Sequence, residues 1–300
     1  MKILVTGATG FIGRYLLSVL ANHGEEYSVS AIARRIPIEA HSLINWITAD
    51  LGISDWTKNL PDENFDTVIH LAQSKHYRDF PSHAIDIFNI NVRATVELAD
   101  WALKHHVKRF LFASTGNVYG SNESVQREED RCNPETMYGA SKLSAEILLK
   151  PFSVFMDVLV LRLFGIYGPG QIDSILPNII HRFNIGDEIT LAGNIGVRFN
   201  PLYIDDCALA IHHLTKAPTS SSYVVLNVGG SESIDLRIIS GLLENFGRKK
   251  ALTRVTGDCP TQLVGSIEKF RRLYEFKQTV PFHEGLRRTF DSFIASSETR

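Results

Sequence analysis

Thr6-Gly7-Ala8-Thr9-Gly10-Phe11-Ile12-Gly13 follows the apolar run Ile3-Leu4-Val5 and opens into the helical period Ile12, Leu16, Val19, Leu20. A short β run, a glycine-rich turn and an amphipathic helix form the arrangement that binds a dinucleotide pyrophosphate. Glycine lets the backbone turn tightly and approach a phosphate, and the helix N-terminus offers unpaired N–H groups and the positive end of its dipole. The spacing is G-x-x-G-x-x-G, one residue longer than the G-x-G-x-x-G fingerprint, and a purely structural turn is the alternative reading.

Outward from this stretch, the first half alternates β-branched runs with helical periods. That pattern predicts an α/β fold with a Rossmann-type doubly wound parallel sheet. Strands are expected near Lys2–Thr6, Val29–Ala33, Trp46–Ala49, Thr67–Leu71, Arg109–Ser114 and Asp157–Phe164. Helices are expected over about Phe11–Asn22, Ser82–Lys104 and Met137–Lys150. Beyond Phe164, the cluster Gly165, Gly168, Pro169, Gly170 and Pro177 introduces shorter elements. There we expect helices near Ile175–Asn184, Asp205–Lys216, Ile234–Asn245 and Glu284–Ile294, with strands near Ile189–Ala192 and Tyr223–Val228. The expected division is a dinucleotide-binding domain, 1–164 completed by parts of 198–228, and a smaller C-terminal α/β substrate lobe, 165–300.

Composition narrows the function classes. With 44% hydrophobic and 21% charged residues the chain reads as an ordinary globular protein, and disordered or fibrous classes are excluded. Thirty-one basic against 33 acidic residues leave a net charge of −2, which offers no field for nucleic acid or an anionic membrane. No segment reaches the ~18 apolar residues of a membrane span. Arg162, for instance, interrupts the run from Val158 to Tyr167. Cys132, Cys207 and Cys259 are odd in number and scattered, which argues against a disulfide framework and a cysteine zinc site. A reducing, cytoplasmic location is expected, since the opening apolar run is too short for a secretion signal. His105-His106 and His212-His213 are neighbours pointing about 100° apart on a helix, so no metal site is expected.

Two further stretches bear on chemistry. Ala31-Ile32-Ala33-Arg34-Arg35 ends the second strand with no carboxylate to hold a ribose 2′-hydroxyl. Two guanidinium groups there suit a 2′-phosphate, which favours NADP(H) over NAD(H); solvent-facing arginines are the alternative. Asp50, after the third strand, is a candidate for the adenine or a helix cap. Tyr138-Gly139-Ala140-Ser141-Lys142 sets Tyr and Lys four residues apart, on one helix face. An unperturbed tyrosine titrates near ~10, and a nearby ammonium together with bound NAD(P)⁺ is expected to lower it into use as a proton donor and acceptor. Thr115, in Ser114-Thr115-Gly116-Asn117, leaves the carboxyl end of the fifth strand, where it can hydrogen-bond the same substrate oxygen or merely cap a turn.

Taken together, Thr6–Gly13, Asp50-Leu51, His70-Leu71-Ala72, Asn91-Val92, Ser114–Gly120, Tyr138–Lys142, Arg162–Gly170 and Arg198–Asp206 resemble an extended short-chain dehydrogenase/reductase of the NAD-dependent epimerase/dehydratase family. The resemblance runs over nearly the full chain. It implies Thr115, Tyr138 and Lys142 as the catalytic trio, with Lys142 also holding the nicotinamide ribose. It implies a cofactor site of Gly7, Gly10, Phe11, Ile12, Gly13, Asp50, Leu51, Leu71, Ala72, Gln73 and Asn91, beside Tyr138 and Lys142. It implies a nucleoside-diphosphate sugar as substrate, met by Thr115, Asn117, Gly165, Pro177, Asn178 and Arg198, the last on the diphosphate. A homodimer through the helices at Ser82–Lys104 and Met137–Lys150 is implied as well.

Departures from the family pattern narrow the reaction. The 4,6-dehydratases carry Asp-Glu after the catalytic Thr, whereas this chain has Gly116-Asn117, which cannot do that proton work. Gly165 stands where many epimerases have Asn. The leading expectation is hydride transfer at C4 of an NDP-hexose by an NDP-4-keto-6-deoxyhexose 4-reductase using NADPH. The alternatives are a 4-epimerase with retained NAD, a non-sugar carbonyl reductase, and a non-catalytic NADP-sensing protein.

Overall fold

The computed structural model describes residues 1–121, 124–172 and 174–298. In chain order its first elements are β1 (Lys2–Thr6), α1 (Phe11–Ala21), β2 (Ser28–Ala33), β3 (Ile44–Thr48) and β4 (Thr67–His70). There follow α2 (Ala84–Phe88), α3 (Ala94–Lys104), β5 (Arg109–Thr115), α4 (Met137–Leu149), β6 (Asp157–Leu163) and β7 (Ile166–Tyr167). Next come α5 (Ile175–Ile185), β8 (Ile189–Ala192), β9 (Arg198–Phe199), β10 (Leu202–Tyr203), α6 (Ile204–Leu214) and β11 (Tyr223–Val228). The last are β12 (Ile234–Asp235), α7 (Leu236–Gly247), β13 (Thr253–Thr256), β14 (Gln262–Leu263), α8 (Glu268–Tyr274) and α9 (Phe282–Glu298).

The chain divides into two interleaved units, Met1–Gly120 with Arg131–Arg162 and Ala208–Leu226, and Ser121–Asp130 with Leu163–Cys207 and Asn227–Arg300. The first is organised on a parallel seven-stranded sheet of order β11-β6-β5-β4-β1-β2-β3. Its central strands are buried on both faces, as the continuous run Thr67-Val68-Ile69-His70 requires. The chain leaves β1 for β2 and β3, then returns to β4 on the other side of β1, registered Ile3 to Thr67 and Thr6 to His70. That reversal makes the carboxyl ends of β1 and β4 the switch point at which ligands of such sheets bind. Leu4, Val68, Phe110 and Phe112 pack with Leu98, Trp101, Leu149 and Val158 in one core, each large side chain contributing roughly 1.5–3 kcal/mol.

In the second unit β7 pairs with β10, β8 pairs with β13, and β12-β9-β14 form a three-stranded sheet. Asp235 caps α7, its Oδ1 accepting the Ile238 N–H at 3.0 Å. No helix among the described residues is long and apolar enough to cross a membrane.

The helix expected over Ser82–Lys104 begins at Ala84 and is interrupted by a π-helical turn over Asn89–Arg93. The reason lies in distant partners: the extra residue turns Asn91 inward, where both ends of its amide find Ser74 and Ser141. The third strand starts two residues earlier than expected, at Ile44. Ile234 and Asp235 lie in β12 rather than in the helix, because Asp235 spends its carboxylate on the cap.

Candidate active site

The glycine turn after β1 is built from contacts that admit no side chain. Gly7 has φ +69°, and a Cβ there would lie 2.6 Å from Ala72 N and 2.7 Å from Leu71 C; at Gly13 it would lie 2.2 Å from Gly7 O. Gly10 differs, since its Cβ would meet Gly7 O alone, at 3.1 Å. Its missing side chain is not demanded by packing and keeps the backbone bare where α1 begins. That helix has no side-chain cap and no acidic residue in its first turn, which holds Phe11 and Ile12. Its N–H groups and positive dipole end therefore suit an anion such as a pyrophosphate.

Around this turn, Leu71 and the buried Ala72 continue from β4, and Ala72 N–H donates to Thr6 Oγ1 at 3.3 Å. Arg34 and Arg35 are exposed just past β2. Asp50 accepts the Gly52 N–H on Oδ1 at 2.9 Å, the local turn-closing use of an Asp. Buried Leu51 gives its carbonyl to the Arg93 guanidinium, 3.2 Å away.

Thr115, Tyr138 and Lys142 come together at the carboxyl end of β5. Thr136 caps α4 by accepting the Gly139 N–H at 3.1 Å. Gly139 lets the helix approach the turn after Thr115, since a Cβ there would stand 2.6 Å from Asn117 O. Thr115, almost fully buried, accepts the Asn117 N–H at 3.2 Å; exposed Asn117 lies in that turn. The Tyr138 hydroxyl donates to Gln73 Oε1 at 3.0 Å, and its ring lies 4.8 Å from that of Tyr77. Lys142, 1% exposed, donates from Nζ to Ala113 O at 2.8 Å and sits over the Phe112 ring.

Without a dinucleotide, Lys142 does not lower Tyr138. Burial holds the Tyr138 phenol above its ordinary range and Tyr77 adds to this, while the hydrogen bond with Thr115 and the Arg78 charge oppose it. The Lys142 ammonium turns to Ala113 O instead, and burial pushes its pKa down to about 7 against the pull of Glu146.

Behind the trio lies a buried polar network absent from the sequence reading. Glu146, one turn past Lys142, accepts from Ser114 Oγ and pairs with Arg162, whose Nη2 reaches Glu146 Oε2 at 2.7 Å and whose Nη1 donates to the Tyr119 hydroxyl at 2.8 Å. The i, i+4 spacing of Lys142 and Glu146 was the available signal. Asn91 accepts the Ser74 N–H at 2.8 Å and donates to Ser141 Oγ at 2.9 Å.

Gly165, Pro177, Asn178 and Arg198 all lie in the second unit. Gly165 has φ +56°, with Phe199 2.9 Å from where its Cβ would stand, so backbone geometry accounts for glycine there. Pro177 is buried in the first turn of α5 and Asn178 is exposed beside it. Arg198 on β9 is 41% exposed at its side chain, and it and Arg237 each lie 3.9 Å from the buried Asp235 carboxylate.

His76, Asp79 and His83 hold their donor atoms within 4.8 Å of one another. The two imidazoles stack at 3.8 Å with planes 6° apart. A metal binds in the plane of each ligating ring, and parallel planes share no such point.

A sequence model described as the NAD dependent epimerase/dehydratase family matches residues 3–229. The probable UDP-glucuronate 4-epimerase of Rhizobium meliloti (strain 1021) is 25% identical, with 96% of this chain and 95% of that one covered. The dTDP-4-dehydro-6-deoxyglucose reductase of Escherichia coli is also 25% identical, with 95% of each covered. The crystal structure of a UDP-glucuronic acid 4-epimerase from Bacillus cereus, in complex with UDP-glucuronic acid and NAD, is 27% identical and superposes with a TM-score of 0.85, covering 99% of this chain and 100% of that one.

Proposed function

The chain belongs to the NAD dependent epimerase/dehydratase family, and from that premise we propose that it is a 4-epimerase of UDP-hexoses or UDP-hexuronic acids that retains NAD. The observation that carries this reading is the meeting of Tyr138, Thr115 and Lys142 at the end of β5. The likeness to solved UDP-sugar 4-epimerase structures supports it over the 4-reductase expected from the sequence.

Gly7, Gly10 and the first turn of α1 would hold the pyrophosphate, with Leu71 and Ala72 beside them and Lys142 on the nicotinamide ribose. When bound, the dinucleotide supplies the hydride acceptor for the sugar carbon and, reduced, the hydride donor. Tyr138 accepts the proton of the C4 hydroxyl as that carbon is oxidised, and returns a proton to the carbonyl oxygen once the opposite face of the 4-keto sugar is presented. Thr115 orients that oxygen and stabilises its developing charge. Gly116-Asn117 supplies no acid or base for removing water, which supports epimerisation over dehydration. In the second unit, Arg198 would bind the diphosphate, whose oxygens suit its planar fork, with Gly165, Pro177 and Asn178 in the same substrate-binding lobe.

A 4-ketoreductase using NADPH is the second reading. It is favoured by Arg34 and Arg35, exposed at the end of β2 with no carboxylate between them and the strand.

We also infer a homodimer through α2 and α4. These helices pack together and expose Ile85 (73%) and Ile147 (62%), with Phe88 and Leu148 beside them.

The function is tested by incubating the protein, without added dinucleotide, with UDP-glucose and UDP-glucuronic acid and following the C4 stereochemistry by NMR. Interconversion with the galacto epimer, abolished by Tyr138→Phe, is the expected result. Turnover only of 4-keto sugars with added NADPH would establish the second reading instead.

A further inference from the structure

Gln73 faces the proton-transfer group directly. It is exposed at the first position after Leu71-Ala72, and its Oε1 accepts the Tyr138 hydroxyl proton at 3.0 Å. An O–H donating to a neutral carbonyl is the hydrogen bond that Tyr138 must offer the carbonyl oxygen of a 4-keto sugar. The side chain is exposed, so it can give way.

We propose that Gln73 is a positioning residue for Tyr138, whose amide carbonyl keeps the phenolic proton directed at a carbonyl acceptor until the substrate oxygen replaces it. The proposal rests on Tyr138 being the proton-transfer group of the preceding reading. It assigns Gln73 a contact with the tyrosine, beyond the ribose-lining place that the family resemblance implies.

The consequence is that Gln73 sets how readily Tyr138 ionises. Accepting the O–H favours the phenol over the phenolate. The other groups facing Tyr138 are Tyr77 and Arg78 from the segment after β4, and Thr115 from β5; Lys142, on the same helix, directs its charge to Ala113 O. Of these, Tyr77 opposes ionisation, while Arg78 and Thr115 assist it.

Gln73→Met keeps length and bulk but removes the acceptor, whereas Gln73→Glu adds a negative acceptor. In the acid limb of kcat/KM for epimerisation, Gln73→Met moves the limb to lower pH by about half a unit to one unit, the worth of one hydrogen bond. Gln73→Glu moves it to higher pH. A limb unmoved in Gln73→Met overturns the proposal, including where only dinucleotide affinity changes. Should the wild-type protein turn over no nucleotide sugar, the functional reading fails separately. The Gln73 contact is then decided by the ¹³Cζ resonance of labelled Tyr138 at neutral pH, assigned with Tyr138→Phe. A shift in Gln73→Met supports the contact, and an unchanged resonance overturns it.

Discussion

Asn91 Nδ2 donates to Ser141 Oγ at 2.9 Å, and the Ser141 hydroxyl in turn donates to the backbone carbonyl of Tyr138 at 2.8 Å. The π-helical turn of Asn89–Arg93 is thereby tied to the turn of α4 that carries the tyrosine. Asn91 is fully buried, and its Oδ1 takes the Ser74 N–H.

Replacing Asn91 with Leu leaves that buried N–H without its acceptor. A loss of about 1–3 kcal/mol is expected, read as a lower urea midpoint with an unchanged slope. Turnover falls with it, because α4 loses its tether beside Tyr138.

The Arg162–Glu146 pair is buried on both sides, at 7% and 2% side-chain exposure. Glu146→Gln removes the carboxylate that faces the buried guanidinium, and about 3–5 kcal/mol of stability should be lost. Adding Arg162→Met to that variant is expected to recover a large part of the loss. A double-mutant cycle by chemical denaturation checks both statements.

His70 is fully buried between Thr6 and Thr95, with Nδ1 2.5 Å from Thr6 Oγ1 and Nε2 2.8 Å from Thr95 Oγ1. Burial lowers its pKa from 6.5 to about 3, and the neighbouring Lys142 charge contributes. The folded state therefore binds fewer protons than the unfolded state between those values. The stability from the neutral ring is full above pH 6.5 and is lost as pH falls toward 3. At about 1.4 kcal/mol per unit, the full loss is on the order of 5 kcal/mol. His70→Gln should flatten the decline in thermal stability from pH 6.5 downward, and an equally steep decline would contradict this.

How much of this was legible in the sequence follows from what is local. The turn at Gly7, Gly10 and Gly13 and the pair Tyr138 and Lys142 are short-range patterns, and each occupies the element expected for it. The π-turn at Asn91 was not legible, because its cause is a pair of partners 17 and 50 residues away in sequence. The same is true of Gln73, whose contact with Tyr138 spans 65 residues. A Tyr-x-x-x-Lys spacing does not say where the ammonium points, and here it points to Ala113 O. The small strands of the second unit escaped because runs of two residues, such as Arg198–Phe199, have no periodicity to read.

The central claim is that this protein works on its substrate with a dinucleotide it does not exchange, and the most direct test is the dinucleotide it carries. Freshly purified protein is denatured, and the released nucleotide is identified and quantified by mass spectrometry. Near-stoichiometric NAD per chain is the predicted result. Protein that releases no dinucleotide, or releases NADP(H), would contradict the epimerase account and make Arg34 and Arg35 the mark of a reductase.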